Sequence, residues 1–442
     1  MLCHNITNQK LHASQRQVTY TRQTTPLTPS HELGVYRLEN YRPGGYHPLQ
    51  IDDYLHHNRY HIIHKLGHGA FSTAWLALDQ QTSQYVAIKV GTADSDSHEA
   101  DILSQLSTDA SDESLMVPMV LNRFGLDGPN GWHPCLVTAA ARCSLMAARE
   151  MSDSRLFQLD VARSLAAQLV TALSHVHSHG YAHGDIHLGN ILLQLPSSLN
   201  NLSVEQLYAK FGAPEPEPVT RLDGNTTTYP AAGVPSHVFP PVWLGTPSDE
   251  IPLNETKLLL GDFGVAFRPV DKSRFESNAP LVVRPPEAFF EPTRPLSLAS
   301  DIWSLGCVIF ELFAHRSLID GILTPQDEIT AQQVHLQGTL PPEWWNKWEK
   351  RFKWFDETGI PLSNECDIWS WDRRFGEWIQ EPRRSYGMGV IDQDEKTALL
   401  ELLRWTLAWR PEDRPSADQV LGTAWMKKWA LPTYRESRKA LA

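Results

Sequence analysis

Three polar side chains stand at fixed spacing in the stretch HGDIHLGNILL, residues 183–193. Asp185 carries a carboxylate that could take the proton of a hydroxyl, and Asn190 could contribute an oxygen to a magnesium ion. His187 lies between them, and its imidazole could donate a hydrogen bond. The spacing is typical of a loop that moves a phosphoryl group from ATP, although a lysine usually occupies the position of His187.

A glycine-containing turn precedes this loop in the chain. LGHGAFS places Gly67 and Gly69 between two runs of alternating apolar residues, with Ser72 where a third glycine is usual. Glycine allows backbone N–H groups to approach phosphates because no Cβ intervenes. We therefore predict that Gly67 and Gly69 hold phosphates.

Two further segments supply charged groups. Lys89 in VAIK could hold the α- and β-phosphates of ATP if Glu99, in HEADIL, orients its ammonium. Asp262 in GDFG, after the apolar run LLL, would be the main Mg²⁺ ligand. Each motif alone is a weak signal, but the glycine turn, VAIK, HxDxxxxN and DFG seldom occur together in this order by chance, and together they strongly indicate phosphoryl transfer from ATP.

The elements around these motifs change character along the chain. Residues 60–79 predict a strand, a tight turn and a strand, and residues 84–91 predict a third strand. HEADILSQL has helical spacing, and between Asp160 and Gly180 apolar residues recur on one helical face. We expect an α+β, two-lobed fold, with a small antiparallel sheet lobe followed by a larger, mainly helical lobe.

Composition narrows the function classes. The chain has 442 residues, more than one hydrophobic core usually organises, so two packed lobes are expected. A net charge of −12 argues against general binding to nucleic acid or an anionic membrane. The sequence contains no run of about 18 apolar residues, so no membrane-spanning segment is expected. The five cysteines form no CxxC and are expected to be free thiols in a reducing compartment.

Proline content and polarity indicate the domain boundaries. We expect a disordered or extended tail over 1–44, a small lobe over 45–139, a large lobe over 140–430 and a C-terminal tail over 431–442. Residues 194–257 hold ten of the 31 prolines and predict an insertion. Residues 1–31 lack acids, which fits either a mitochondrial transit peptide or, as we favour, a solvated tail.

Three downstream motifs, RPPEA, SDIWSLGCVIFEL and RPEDRPSADQVL, resemble the closing segments of eukaryotic-type protein kinases. The resemblance implies that Glu287 pairs with Arg414 and that Asp301 holds the backbone of the catalytic loop. It also implies a serine/threonine kinase that uses ATP and Mg²⁺, with Asp185 as the base and Asn190 and Asp262 as metal ligands.

A narrower resemblance covers about residues 40–430. The segment GGYHPLQIDDYLHHNRYHIIHKLGHGAFSTAWLALD is similar to the corresponding segment of the SR-protein kinases, and NILLQLPSSLNNLSVEQLYAKFG resembles their compact fungal branch. It implies Arg/Ser-rich protein substrates, a role in mRNA processing, a cytoplasmic or nuclear location and a monomer. The resemblance completes the nucleotide-binding set with Leu66, Ala87, Thr138, Ala139 and Ala141.

Substrate specificity is less well indicated by the residues themselves. Residues 341–395 contain 12 acids and 8 lysines and arginines, which predicts a salt-bridged surface rather than an acidic groove. The tryptophans of this region are expected to be core anchors. Arg/Ser specificity therefore rests on the family resemblance.

Two departures leave alternatives open. Gly184 replaces the arginine that normally grips a phosphate on the activation segment, so we predict a kinase that does not need phosphorylation there, at Ser273 or Ser277. His187 replaces a lysine, whose side chain would place a permanent positive charge near the γ-phosphate. HGDxHxGN also resembles small-molecule kinases of the aminoglycoside and choline type, and the accumulated departures are compatible with a weakly active pseudokinase scaffold.

Overall fold

The structure, a computed structural model, describes residues 27–29, 38–107, 116–221, 232–321, 323–363 and 368–439. The strands are β1 (Leu27–Pro29), β2 (Tyr54–Leu55), β3 (Tyr60–His68), β4 (Ser72–Asp79), β5 (Gln84–Gly91), β6 (Val120–Gly128), β7 (Gly131–Ala139), β8 (Ala141–Ser144), β9 (Ile191–Gln194), β10 (Glu217–Arg221), β11 (His237–Val238) and β12 (Leu258–Leu260). The helices are α1 (His98–Leu106), α2 (Leu145–Glu150), α3 (Leu159–Ser178), α4 (Val204–Phe211), α5 (Glu287–Phe290), α6 (Leu298–Phe313), α7 (Gln326–Gln337), α8 (Pro342–Lys347), α9 (Trp371–Arg374), α10 (Glu381–Ser385), α11 (Gln393–Thr406), α12 (Ala417–Leu421) and α13 (Leu431–Lys439).

The chain divides into two compact units. The small unit comprises Met1–Ser95, Phe124–Cys135 and Ser203–Val242, and the large unit comprises Asp96–Arg123, Leu136–Leu202 and Trp243–Ala442. The boundaries differ from those predicted from the sequence, because α1 belongs to the large unit and part of the predicted insertion belongs to the small unit.

An antiparallel sheet organises the small unit. Its strand order is β2-β3-β4-β5-β7-β6, and antiparallel pairs join β2 to β3, β3 to β4 and β4 to β5. Burial in β5 follows the strand pattern, since Val86, Ile88 and Val90 are buried. The three predicted strands are therefore confirmed at 60–68, 72–79 and 84–91.

The predicted insertion supplies the remaining structure of the small unit. Helix α4 begins at a capping box in which Ser203 accepts from the backbone of Gln206. The Tyr208 hydroxyl donates to the Ile63 carbonyl of β3 (3.0 Å), and His64 Nε2 bonds the Gly212 carbonyl (2.9 Å). Strands β1, β10 and β11 form a second small sheet. These bonds explain why this part of the insertion belongs with the small unit.

The large unit is built on helices. Helix α3 matches the predicted helix at 160–180 and is followed by Gly180, whose φ of 78° suits a C-terminal glycine. Ile102, Leu103 and Leu106 of α1 lie in the same buried cluster as α3 and α6. This packing places α1 in the large unit, and it follows from the helix having an apolar face to bury.

The C-terminal part of the large unit contains two features that bear on the predictions. Trp344, Trp345 and Trp348 are buried together with Phe355, which confirms that these tryptophans are core anchors. Helix α13 occupies most of the segment predicted to be a tail, and the Ser164 hydroxyl of α3 bonds that of Ser437. Within the described ranges, no helix is long and apolar enough to span a membrane.

Candidate active site

A buried carboxylate holds the backbone of the catalytic loop in the large unit. Asp301, near the start of α6, is 2% exposed and accepts the backbone N–H groups of His183 (2.7 Å) and Gly184 (2.8 Å). His177 bonds the same carboxylate at 3.0 Å. The predicted role of Asp301, holding the loop backbone, is confirmed.

The two carboxylate oxygens of Asp185 have different surroundings. The Asn190 side-chain nitrogen donates to Asp185 Oδ2 (3.0 Å) and to the Asp185 carbonyl (2.9 Å). Asp185 Oδ1 is buried and has no hydrogen-bond partner in the described part of the chain. Asn190 therefore fixes the orientation of the carboxylate through Oδ2, and the predicted role of Asp185 as the base stays a prediction.

The orientation of the His187 imidazole is set by a backbone hydrogen bond to one of its nitrogens. The Gly189 N–H donates to His187 Nδ1 (3.1 Å), so Nδ1 is an acceptor and the proton belongs on Nε2. Nε2 lies 3.6 Å from Asp185 Oδ1, beyond hydrogen-bond distance. The imidazole thus directs one N–H donor toward the region next to the candidate base.

Gly189 is a residue of the site that sequence reasoning missed. A Cβ at this position would lie 2.7 Å from His187 Cε1 and 2.9 Å from Nδ1, closer than carbon atoms normally approach. The imidazole can occupy its position only because residue 189 has no side chain. The spacing HxGN carried this signal, but it could be interpreted only with the ring position known.

The DFG segment is joined to the catalytic loop through aromatic and backbone contacts. Glu99 Oε1 accepts the Phe263 N–H (3.1 Å), and the Phe263 ring packs edge-on against His183 (centroids 4.8 Å apart). His183 Nε2 in turn bonds the Gly261 carbonyl (2.9 Å). Asp262 has φ 62°, a conformation that costs a non-glycine residue free energy and is typical of functional sites.

The activation segment is braced without the usual arginine. Gly184 has φ 79°, and a Cβ there would lie 3.3 Å from the Val265 carbonyl oxygen. Arg274 donates to that same carbonyl, and its guanidinium lies 4.9 Å from the centre of the Phe267 ring. An arginine on the segment itself therefore makes contacts beside the position where the catalytic-loop arginine is missing.

A buried salt bridge joins the end of this segment to the C-terminal helices. Arg414 Nη1 and Nη2 donate to the two carboxylate oxygens of Glu287 at 2.8 and 2.7 Å. The side chains are 0% and 5% exposed, and Arg414 also donates to the carbonyls of Ala408, Ala299 and Trp409. The predicted Glu287–Arg414 pair is confirmed.

The small unit contains the candidate phosphate-binding residues. At Gly67 and Gly69, no atom of the described residues, apart from the glycine and its chain neighbours, lies within 4 Å of the position that a Cβ would take. Neither glycine is required by a neighbouring atom, so their value lies in open space beside the backbone, which suits the approach of phosphate oxygens. Leu66 lies on β3, and Ser72 begins β4.

The other nucleotide-binding candidates are divided between the units. Ala87 and Lys89 lie on β5 of the small unit, where Lys89 is paired with Ala74 of β4. The rest belong to the large unit: Glu99 on α1, Thr138 and Ala139 at the end of β7, and Ala141 at the start of β8. Because Lys89 and Glu99 belong to different units, their pairing stays a prediction.

The sequence profile of the protein kinase domain matches residues 60–201 and 251–426. The chain belongs to the protein kinase family. The unmatched residues between these ranges fall within the insertion that we predicted at 194–257. A solved crystal structure of a kinase domain aligns with 86% of this kinase and 98% of its own chain, with a TM-score of 0.57 and 18% identity, which confirms the predicted α+β kinase fold.

Curated relatives place the kinase among the serine/threonine kinases. A serine/threonine protein kinase of Aspergillus fumigatus is 24% identical over 397 residues, which are 88% of this chain and 90% of the relative. The serine/threonine-protein kinase SRPK of Physarum polycephalum is 24% identical over 73% of this chain and 76% of its own. The kinase spk-1 of Caenorhabditis elegans is 34% identical over 38% of this chain and 18% of its own. The resemblance to SR-protein kinases is confirmed at this modest identity.

Proposed function

We propose that this kinase transfers the γ-phosphoryl group of ATP directly to serine hydroxyls in Arg/Ser-rich proteins. The observation that carries the phosphoryl-transfer chemistry is the unpartnered Oδ1 of Asp185, which lies beside an Oδ2 that accepts a hydrogen bond from Asn190. The substrate class is supported by the Physarum relative, which is named SRPK.

Asp185 acts as the base in this proposal. A substrate hydroxyl presented to Oδ1 loses its proton as its oxygen attacks the γ-phosphorus, and the bond from phosphorus to the β,γ-bridging oxygen of ATP breaks. Asn190 keeps the carboxylate from rotating, since its amide nitrogen bonds both Oδ2 and the backbone carbonyl of Asp185. Fixing one oxygen in this way presents the other in a single orientation.

Asn190 and Asp262 fit a magnesium ion by the chemistry of their donors. The Asn190 amide nitrogen is bonded to Asp185, so its oxygen is the atom that a cation would use. Asp262 offers a carboxylate, and Mg²⁺ is usually held in proteins by one or two such oxygens together with substrate phosphates. When bound, Mg²⁺ supplies positive charge that offsets the charge developing on the phosphates.

His187 contributes hydrogen bonding rather than charge. Because Nδ1 accepts from the Gly189 N–H, the Nε2–H is the group available to a phosphoryl oxygen. Removing one such preorganised donor typically slows an acyl-transfer enzyme by about 10²-fold. By analogy, removing the imidazole of His187 is expected to slow phosphoryl transfer by about the same factor. His187 therefore contributes one hydrogen bond in place of a permanent charge, and the carboxylate chemistry of Asp185 continues.

Compartment forms part of the same proposal. Cys135 and Cys307 are buried free thiols, and burial raises the pKa of the Cys135 thiol to about 12. Thiols of this kind suit a reducing compartment, so we place the kinase in the cytoplasm, the nucleus or both. Imaging of a tagged full-length chain tests this placement.

The decisive experiment is transfer of radiolabelled phosphate to an Arg/Ser repeat peptide. Asp185→Asn keeps the size of the side chain and removes the base, so it should abolish transfer while the melting temperature stays near that of the wild type. A Lys/Ser peptide of equal length and charge tests arginine recognition, and choline and an aminoglycoside test the small-molecule alternative. Equal labelling of the Lys/Ser peptide would refute Arg/Ser specificity, and exclusive labelling of a small molecule would refute a protein substrate.

A further inference from the structure

We propose that Tyr46 positions the glycine-rich turn, residues 66–72, for the binding of ATP phosphates. The Tyr46 hydroxyl donates a hydrogen bond to the carbonyl of Gly69, 23 residues further along the chain. Within the turn, the Gly69 N–H donates to the Ser72 carbonyl (2.8 Å). The carbonyl of Gly69 is thus held from outside the turn and its N–H from inside.

The N-terminal strap, residues 38–49, fixes the backbone of Tyr46 on both sides. The Tyr46 N–H donates to the Asn40 carbonyl (2.8 Å), and the Tyr46 carbonyl accepts from the Asn130 side-chain nitrogen (2.7 Å). Two residues before Tyr46, the Gly44 N–H donates to the Asn130 carbonyl (2.8 Å). The hydroxyl of Tyr46 therefore extends from a rigid base.

The ring of Tyr46 is buried against the insertion. Tyr46 is 2% exposed and lies in a cluster with Leu38, Tyr41, Val219 and Val238, of which the last two come from β10 and β11. The Tyr41 and Tyr46 rings meet edge-on with centroids 5.3 Å apart. The insertion thus supports the residue that reaches the turn, which gives this part of the chain a role in the small unit.

At the tip of the turn, one further backbone bond runs from the Thr92 N–H to the Phe71 carbonyl (2.9 Å). Gly69, Ala70 and Phe71 are exposed, and Phe71 is 68% exposed. A turn with two glycines and an exposed tip samples many conformations, and each immobilised residue costs roughly 1–2 kcal/mol of conformational entropy when a ligand must order it. A hydrogen bond that orders Gly69 beforehand removes part of this cost from ATP binding.

Tyr46 is thus a positioning residue that acts through Gly69. The inference rests on the proposed function, because it requires that the turn bind ATP. Tyr46→Phe removes only the hydroxyl. We expect the dissociation constant and the KM for Mg²⁺-ATP to rise about 3- to 10-fold, the worth of one hydrogen bond, with kcat changed less than twofold. Amide hydrogen exchange in the ATP-free protein should become faster at residues 67–72.

Tyr41→Phe is the matched control, because it removes a hydroxyl from the same cluster. Within the described ranges, no hydrogen bond joins the Tyr41 hydroxyl to the glycine-rich turn. Its ATP affinity and its exchange at residues 67–72 should equal those of the wild type. A melting temperature measured for both variants shows whether either change merely loosens the unit.

The two readouts separate this inference from the proposed function. Unchanged exchange at residues 67–72 in Tyr46→Phe would overturn the positioning role, whether or not peptide is phosphorylated. Faster exchange together with weaker ATP binding would support it, even if the Arg/Ser peptide proved to be the wrong substrate. Equal weakening of ATP binding by Tyr41→Phe would assign the effect to the cluster and overturn the role of the hydroxyl.

Discussion

The contact between Gly189 and the imidazole of His187 predicts that the two residues act as one unit in catalysis. In Gly189→Ala, the new Cβ would lie 2.7 Å from Cε1 and 2.9 Å from Nδ1 of His187, so the ring must move. Its bond from the Gly189 N–H is lost with it, and Nε2 leaves its position 3.6 Å from Asp185 Oδ1. Gly189→Ala should therefore lower kcat through His187.

The size of the effect follows from the donor that is lost. Removing one preorganised donor costs about 10²-fold in rate, or roughly 2.7 kcal/mol of transition-state stabilisation. His187→Ala should lower kcat by about this factor, and Gly189→Ala by up to the same factor. The double variant should be no slower than His187→Ala alone, which gives a coupling energy of up to about 2.7 kcal/mol.

Single-turnover transfer of radiolabelled phosphate measures the chemical step without product release. Gly376→Ala is a matched control, because the change is again glycine to alanine in the large unit. In the part of the chain that the structure describes, no atom outside its own stretch of helix lies within 4 Å of its Cβ position. It should leave the rate unchanged. A double variant about 10⁴-fold slower than the wild type would refute the reasoning, because independent losses multiply.

His187→Lys tests the same arrangement with a charge. A lysine cannot accept the Gly189 N–H, so it gains a permanent charge but loses the bond that fixes the side chain. We expect transfer to be unchanged or lower. A large gain would show instead that histidine has weakened an enzyme built for lysine.

Three further outcomes are expected. Burial lowers the pKa of His47 to about 4 from its ordinary 6.5. As pH falls from 6.5 toward 4, the imidazole therefore takes up a proton in the unfolded chain but not in the folded one, and the melting temperature should fall. The variant His47→Gln should show a shallower fall, and a pH profile identical to that of the wild type would contradict this reasoning. Glu287→Gln leaves Arg414 charged and buried, and should lower the free energy of unfolding, measured in urea, by about 3–5 kcal/mol. Arg294→Ala breaks an exposed salt bridge and should lower it by less than about 1 kcal/mol. Equal losses in the two variants would contradict the reasoning from burial. Because Gly184 removes the usual phosphate-binding arginine, phosphatase treatment and the substitutions Ser273→Ala and Ser277→Ala should leave transfer intact, and a dead phosphatase-treated enzyme would disprove this.

Local pattern predicted the regular elements that frame the site. The alternation in residues 60–68 and 72–79 specified two strands because side chains in a strand alternate between faces, and β3 and β4 have these bounds. The apolar spacing of α3 and the glycine after it specified a helix and its end. The motif order likewise sufficed for the kinase family, since each motif is a short, nearly contiguous set of residues.

Pairings between distant residues were predictable only where a family pattern supplied them. Glu287 and Arg414 are 127 residues apart, and no local rule connects them. No such pattern exists for the bond from Tyr46 to Gly69 or for the packing of the insertion helix on β3, so neither could be predicted. Their existence depends on which apolar faces are buried together.

The sequence by itself specified the candidate groups for the reaction: a carboxylate for the proposed base, two oxygen donors for a proposed metal site and a histidine in place of a lysine. Tertiary structure alone decided how that histidine works. Whether His187 donates or accepts depends on the Gly189 N–H at 3.1 Å, and whether its ring fits depends on the missing Cβ of residue 189. These are questions of distance and steric exclusion, which residue types and spacing do not specify, because the folded backbone sets which atoms meet.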